Sequence, residues 1–193
     1  IERIEVLEGP AGRVFGTSSL LGAINIVTKH PVKNNVSAHA EAGSYGYFNG
    51  GASIAQASGK WTNSVSGNYT HSDGYNRNKA GRLNTDFEGA KAFYQGTYSD
   101  NNTRVSWHAG LSMRDFGSNT FYGTGSDDQF EHTFKSYTAL QAETRCGRLH
   151  LNPSVYWNRN MDRFEYFRGL DNIIPEGGTY GVAYNYHRTD VYG

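Results

Sequence analysis

The chain has a single cysteine, Cys146, among 193 residues. It therefore forms no internal disulfide and has no cysteine pair of the kind that opens a zinc or redox motif. Beside Gly147, Cys146 reads as a small residue in a tight turn. Charge of either sign is not in excess: 18 Lys and Arg balance 18 Asp and Glu, which removes the electrostatic case for a nucleic-acid partner. No run of about 18 apolar residues occurs, so no helix is expected to cross a membrane. That absence leaves membrane barrels open, because their strands are amphipathic and only weakly hydrophobic overall. The glycines near the start, Gly9, Gly12, Gly16 and Gly22, match neither phosphate-binding spacing. Thr17 follows Gly16 where a P-loop needs lysine, and no Gly-x-Gly-x-x-Gly occurs. No Ser-His-Asp or Cys-His set has a motif context. No catalytic residue, metal site or cofactor is assigned, and the chain is read as non-enzymatic.

Glycine and aromatic residues are plentiful: 24 Gly, 14 Tyr and 14% aromatic overall, a composition that favours β-structure. Alternation of period two is the dominant pattern. Val36, Ala38, Ala40 and Ala42 oppose Ser37, His39, Glu41 and Gly43. Val65, Gly67 and Tyr69 oppose Ser64, Ser66, Asn68 and Thr70. Val105, Trp107, Ala109, Leu111 and Met113 oppose Arg104, Ser106, His108, Gly110, Ser112 and Arg114. Leu149, Leu151, Val155 and Trp157 oppose His150, Asn152, Ser154, Tyr156 and Asn158, with Pro153 weakening that run. Further strands are expected over 86–98 and 130–145, and a last one from Tyr180 or Tyr184. Several exceed the ~5–6 residues of a typical globular strand and reach the ~9–11 that span a bilayer.

The connections alternate in length. Short turns fall at 57–60, 100–102 and 146–147, and long segments at 74–85, 117–129 and 162–178. Outer-membrane barrels show this asymmetry between periplasmic turns and extracellular loops. The first hairpin, Ser44 to Tyr47, is the exception, being short at the long-loop end. Tyr45, Tyr47, Phe48, Trp61, Tyr75, Phe116, Phe164, Tyr166 and Phe167 lie near strand ends, as membrane-interface girdles require.

The first 30 residues differ in character. Ile4 and Val6 alternate with Arg3 and Glu5, predicting a half-buried strand. Gly9-Pro10 marks a turn. Residues 11–15 are expected to make a short helical turn closed by Gly16, and 20–28 a second strand in which Gly22 and Ala23 allow close backbone approach. His30-Pro31 and Lys33-Asn34-Asn35 read as a linker. The expected division is 1–30, linker 31–35, and a strand-rich region 36–193. Both ends fall inside strand-like patterns, so the chain reads as an internal segment of a longer protein.

Ile1-Glu2-Arg3-Ile4-Glu5-Val6-Leu7-Glu8-Gly9-Pro10, then Val14-Phe15-Gly16, then Gly22-Ala23-Ile24-Asn25-Ile26-Val27-Thr28-Lys29 resembles the end of the plug domain of TonB-dependent outer-membrane receptors. The family pattern is close to IERIEVLRGP, a LYG-like triplet and GGVINIITK. Glu8 stands where many members have Arg, Phe15 replaces Tyr, and Ala23 replaces a second Gly. The Glu8 and Arg13-Val14-Phe15-Gly16 variant, with residues 187–193, is similar to vitamin B12 or siderophore receptors. The resemblance implies an all-β chain: the C-terminal part of a plug followed by about the first eight strands of a 22-stranded transmembrane antiparallel barrel. It implies TonB-dependent uptake of a scarce ligand, cobalamin or a ferric siderophore, in the outer membrane of a Gram-negative cell. The implied partners are the inner-membrane TonB complex, outer-membrane lipid and a small metal chelate. A plug inside a polar lumen would need its charges paired, which singles out Arg3, Glu5, Glu8 and Arg13. Gly9, Gly16 and Gly22 would serve its turns.

Ligand-contact candidates are Phe121, Tyr122, Asp127, Asp128 and Arg168. Asp127-Asp128 suggests calcium but lacks the full calcium-loop pattern, so a solvated loop is favoured. His39, His108 and His150 share the predicted lumen face from separate strands and read as single polar residues. Rival readings are an outer-membrane glycan receptor of the starch-utilisation type, a passive porin or adhesin barrel, and a soluble carbohydrate-binding β-protein.

Overall fold

The computed structural model describes residues 2–9, 22–28, 33–75, 84–119, 129–165, 168 and 184–193. Every regular element among them is a β-strand, and every pairing is antiparallel. The chain divides into two units, Ile1–Val32 and Lys33–Gly193.

The first unit is a hairpin of β1 (Arg3–Glu8) and β2 (Gly22–Val27), with Ile4 opposite Ile26 and Val6 opposite Ile24. These four apolar side chains form one face and are all exposed. Alternation sets Arg3 and Glu5 on the other face. Glu8 falls on the Ile4 and Val6 side, in register with Gly22. The expected helical turn at 11–15, Arg13 and Gly16 lie outside the described residues.

The second unit is one sheet, ordered β11-β10-β8-β7-β6-β5-β4-β3 with short β9 beside β8. Its strands are β3 (Asn35–Ala42), β4 (Phe48–Ser58), β5 (Trp61–Ser72), β6 (Phe87–Ser99), β7 (Thr103–Asn119), β8 (Gln129–Cys146), β9 (Leu149–Leu151), β10 (Ser154–Glu165) and β11 (Tyr184–Tyr192). Each pairs with the next in sequence, as hairpin connections dictate. The exception is Asn152-Pro153, which splits one expected strand into β9 and β10. Proline has no amide to donate, yet its carbonyl still accepts from the Ala142 amide at 2.9 Å, so the register with β8 continues across the break. β7 and β8 run to 17 and 18 residues, three times a usual globular strand. A bulge lies at the far end of that pair, between Gly117 and Asn119.

The short turns carry the local chemistry they need. Gly59 and Gly147 take φ of 57° and 62°, a left-handed region open to glycine. In the hairpin between β3 and β4, Tyr45 and Gly46 have φ of 62° and 64°, the two positive values of a type I′ turn. Tyr45 is held there by its own carbonyl, which accepts from the Asp73 amide at 2.8 Å and the Ser72 hydroxyl at 3.3 Å.

Candidate functional site

Register fixes the two faces of the sheet. One face carries rows such as Val36–Ile54–Val65–Tyr94–Ala109 and Ala38–Ala52–Gly67–Ala92–Leu111. The opposite face carries Ser37–Ser53–Ser66 and His39–Gly51–Asn68–Lys91–Ser112. Burial runs opposite to the rule for soluble proteins. On the apolar face of the interior strands Ile54 is 54% and Leu111 53% exposed, whereas on the polar face Gln95 is 3% and Thr97 5% exposed. A sheet in water packs its apolar face. Here that face is outermost and the enclosed face is polar, the arrangement of a membrane barrel wall.

Two aromatic belts border the apolar face. Near the short-turn end, Trp61 packs on Tyr98 at 4.8 Å and on Trp107 at 6.0 Å between ring centroids. The Trp107 indole donates to the Tyr94 hydroxyl at 3.0 Å, and that hydroxyl donates to Asn63 at 2.8 Å. Near the long-loop end, Phe48 and Tyr69 sit 6.3 Å apart, and the Tyr69 hydroxyl donates to Glu88 at 3.0 Å. Trp61 and Tyr69 are both on β5, eight positions apart. At ~3.4 Å per residue and a strand tilt of ~40°, the belts stand ~21 Å apart along a membrane normal, close to the ~25 Å band of outer-membrane barrels.

Some expected girdle residues are placed elsewhere. Phe116 is in register with Phe87 and Glu131, and Phe164 with Glu131 and Asn185, so alternation puts both on the polar face. Tyr166 and Phe167 lie outside the described residues. Tyr94, Tyr98 and Trp107, which sequence position did not single out as girdle members, complete the belt around Trp61.

Asp100 at the β6–β7 turn and Glu5 in the hairpin unit are satisfied by internal donors. Asp100 accepts from the backbone amides of Asn102 at 3.0 Å and Thr103 at 2.8 Å and from the Tyr98 hydroxyl at 3.0 Å. These bonds, the Asn102 amide foremost, hold its carboxyl below the usual range. In the hairpin unit, Arg3 Nε pairs with Glu5 at 2.7 Å, and Asn25 donates to Glu5 at 2.8 Å. The Asn25 bond first, then Arg3, lowers the Glu5 carboxyl.

Of the ligand-contact candidates, Phe121, Tyr122, Asp127 and Asp128 lie outside the described residues. Arg168 is engaged: its two terminal nitrogens meet both oxygens of Asp86 at 2.8 Å, and its guanidinium lies 4.3 Å from the Phe130 ring centroid. The three histidines share the polar face without meeting. His39 contacts Asn68 at 3.3 Å, His108 stacks on Phe93, and His150 is in register with Arg145. Among the described residues no three His, Cys, Asp or Glu side chains group as metal ligands.

No family model matches the chain. A solved structure titled "Copper transporter OprC" superposes with a TM-score of 0.67 over 86% of this chain, at 16% identity. The chain spans about a quarter of that structure's length, 26%. The likeness, with the inverted amphipathicity and the paired belts, shows the fold: an all-β, antiparallel sheet of the kind that walls a transmembrane β-barrel.

Proposed function

We propose that this chain is the end of a plug and the first eight strands of the wall of a TonB-dependent outer-membrane receptor. The complete protein would close a 22-stranded barrel and import a scarce small-molecule ligand, cobalamin or a ferric siderophore. The observation that carries this reading is the eight-strand wall with its apolar face outermost between two aromatic belts. It follows directly on a segment with the plug's three ordered submotifs. Arg3, Glu5, Glu8 and Arg13 would be the charged groups that hold the plug yet yield to a pull. Lipid would cover the Val36 to Leu111 face. The inner-membrane TonB complex would act through a segment N-terminal to this chain, with no cofactor and no chemical step.

The matched structure's title names copper as that protein's cargo. A glycan receptor of the starch-utilisation type shares the same wall, and a passive porin or adhesin shares the belts but needs no plug segment. Uptake separates these readings. Cells carrying the full-length protein are given radiolabelled cyanocobalamin, ferric chelates or oligosaccharides, with and without TonB. TonB-dependent accumulation of cobalamin or a ferric chelate is expected. Accumulation indifferent to TonB and to a protonophore would identify a passive pore.

A further inference from the structure

On the polar face, β6, β7 and β8 bring three cations together. Lys91 is in register with Ser112, and Ser112 with Lys135. Two lysines therefore flank one serine, with Cα atoms ~10 Å apart at the ~4.8 Å strand spacing. Arg114 stands two positions along β7 on the same face. All three line a depression of about 530 Å³ with Phe87, Phe116 and Thr133. The Arg114 guanidinium rests 5.2 Å from the Phe116 ring centroid, an aromatic seat that holds the cation open to a second contact. None of the three forms an ion pair with another described residue. Glu131 also lines the depression and has an interaction of its own, and Asp162 holds His187 at 2.9 Å.

Three exposed cations against one lining carboxylate, Glu131, in a concave, polar wall repel one another and focus a positive field. We propose that this depression binds a small polyanion through its carboxylate or phosphate oxygens, with a flat or apolar part of the ligand lying against Phe87 and Phe116. The site rests on the transporter reading and deepens it. It selects an anionic chelate over uncharged cobalamin and over a free metal cation. Arg114 supplies the forked donor that matches a carboxylate or phosphate. Lys91 and Lys135 supply point charges on either side.

The test uses the full-length receptor in outer-membrane vesicles and three probes: ferric citrate, which is anionic; cyanocobalamin, which is uncharged; and ferrioxamine B, which is cationic. The comparison variant is K91Q/R114Q/K135Q, its folding verified by heat-modifiable migration. K91Q and K135Q alone, at exposed positions, serve if the triple variant does not insert. Ferric citrate binding is expected to weaken at least about tenfold in the triple variant and to fall with salt in the parent. Binding of the other two probes should be unmoved. Failure of ferric citrate to bind the parent, or equal binding by parent and variant, overturns the site. TonB-dependent uptake of cyanocobalamin alongside that failure leaves the transporter reading standing. Charge-dependent citrate binding without TonB-dependent uptake of any probe keeps the site and removes the transporter.

Discussion

Val65 lies on the apolar face of β5, four positions from Trp61 in one belt and four from Tyr69 in the other. At ~3.4 Å per residue and a ~40° tilt it sits ~10 Å from each belt, which is the middle of the apolar band. Val65→Arg places a guanidinium there. If lipid covers this face, the cost is about 2–4 kcal/mol, the range for arginine at the midplane of such barrels. If water covers it, Val65 is a 49% exposed surface residue, and substitution should cost no more than about 0.5 kcal/mol. Its neighbour Ser66 points to the polar face, in register with Ser53 and Phe93, and supplies the control. Ser66→Arg should cost much less than Val65→Arg, because it faces an aqueous lumen. The assay is reversible urea unfolding of the full-length protein in lipid vesicles, followed by tryptophan emission and heat-modifiable migration. Equal costs at the two positions, or a cost under about 0.5 kcal/mol at Val65, would refute the assignment of faces.

Other consequences follow from the same wall. Gly96 is directly opposite Trp107, and a Cβ there would enter the indole ring. Gly96→Ala should cost about 1–3 kcal/mol by overpacking and shift tryptophan emission, whereas Gly67→Ala, whose Cβ meets only the Lys91 carbonyl at 3.8 Å, should be neutral or slightly stabilising in the same unfolding assay. The lowered carboxyl of Asp100 stabilises the turn above the ordinary carboxylate range and loses that effect as pH falls through its folded value. Asp100→Asn should remove this acid sensitivity, read as pH-independent protection of the Asn102 and Thr103 amides in hydrogen exchange. Arg168 and Asp86 should show a coupling of about 0.2–1 kcal/mol in a double-mutant cycle, typical of a partly exposed pair, with Arg168→Lys losing most of it because lysine lacks the fork.

Much of this fold is legible in the chain because period-two alternation is local. The faces of β3, β5 and β7 follow from Val36, Val65 and Val105 and their neighbours, and the structure assigns the same residues to the same faces. Belt membership is not local. Tyr94 and Trp107 lie inside their strands in sequence; Trp107 reaches Trp61, and Tyr94 joins through its bond with Trp107, only because the hairpins set this register across the sheet. Phe116 and Phe164 lie near strand ends, but parity turns them to the polar side, so proximity to an end was the wrong signal for them. Pro153 marks the break between β9 and β10, as a missing amide donor predicts, and the shared register across it appears only in the pairing with β8. The basic depression is the least legible feature. Lys91, Arg114 and Lys135 come from three strands and carry no motif, and only the pairing of β6, β7 and β8 brings them to one place. Arg168 is a loop arginine in the sequence, and its contacts with Asp86 and Phe130, distant in the chain, appear only in the structure.

A membrane-barrel wall requires that Val65 and its row face lipid while Ser66 and its row face a polar lumen. Single cysteines at successive positions from Asn63 to Tyr69, in full-length protein with Cys146 replaced by serine, can be tested with a water-soluble thiol reagent and a lipid-phase quencher. Lipid quenching at positions 63, 65, 67 and 69, alternating with aqueous labelling at 64, 66 and 68, is the predicted pattern. A uniform response, or the opposite alternation, would contradict a membrane-barrel wall.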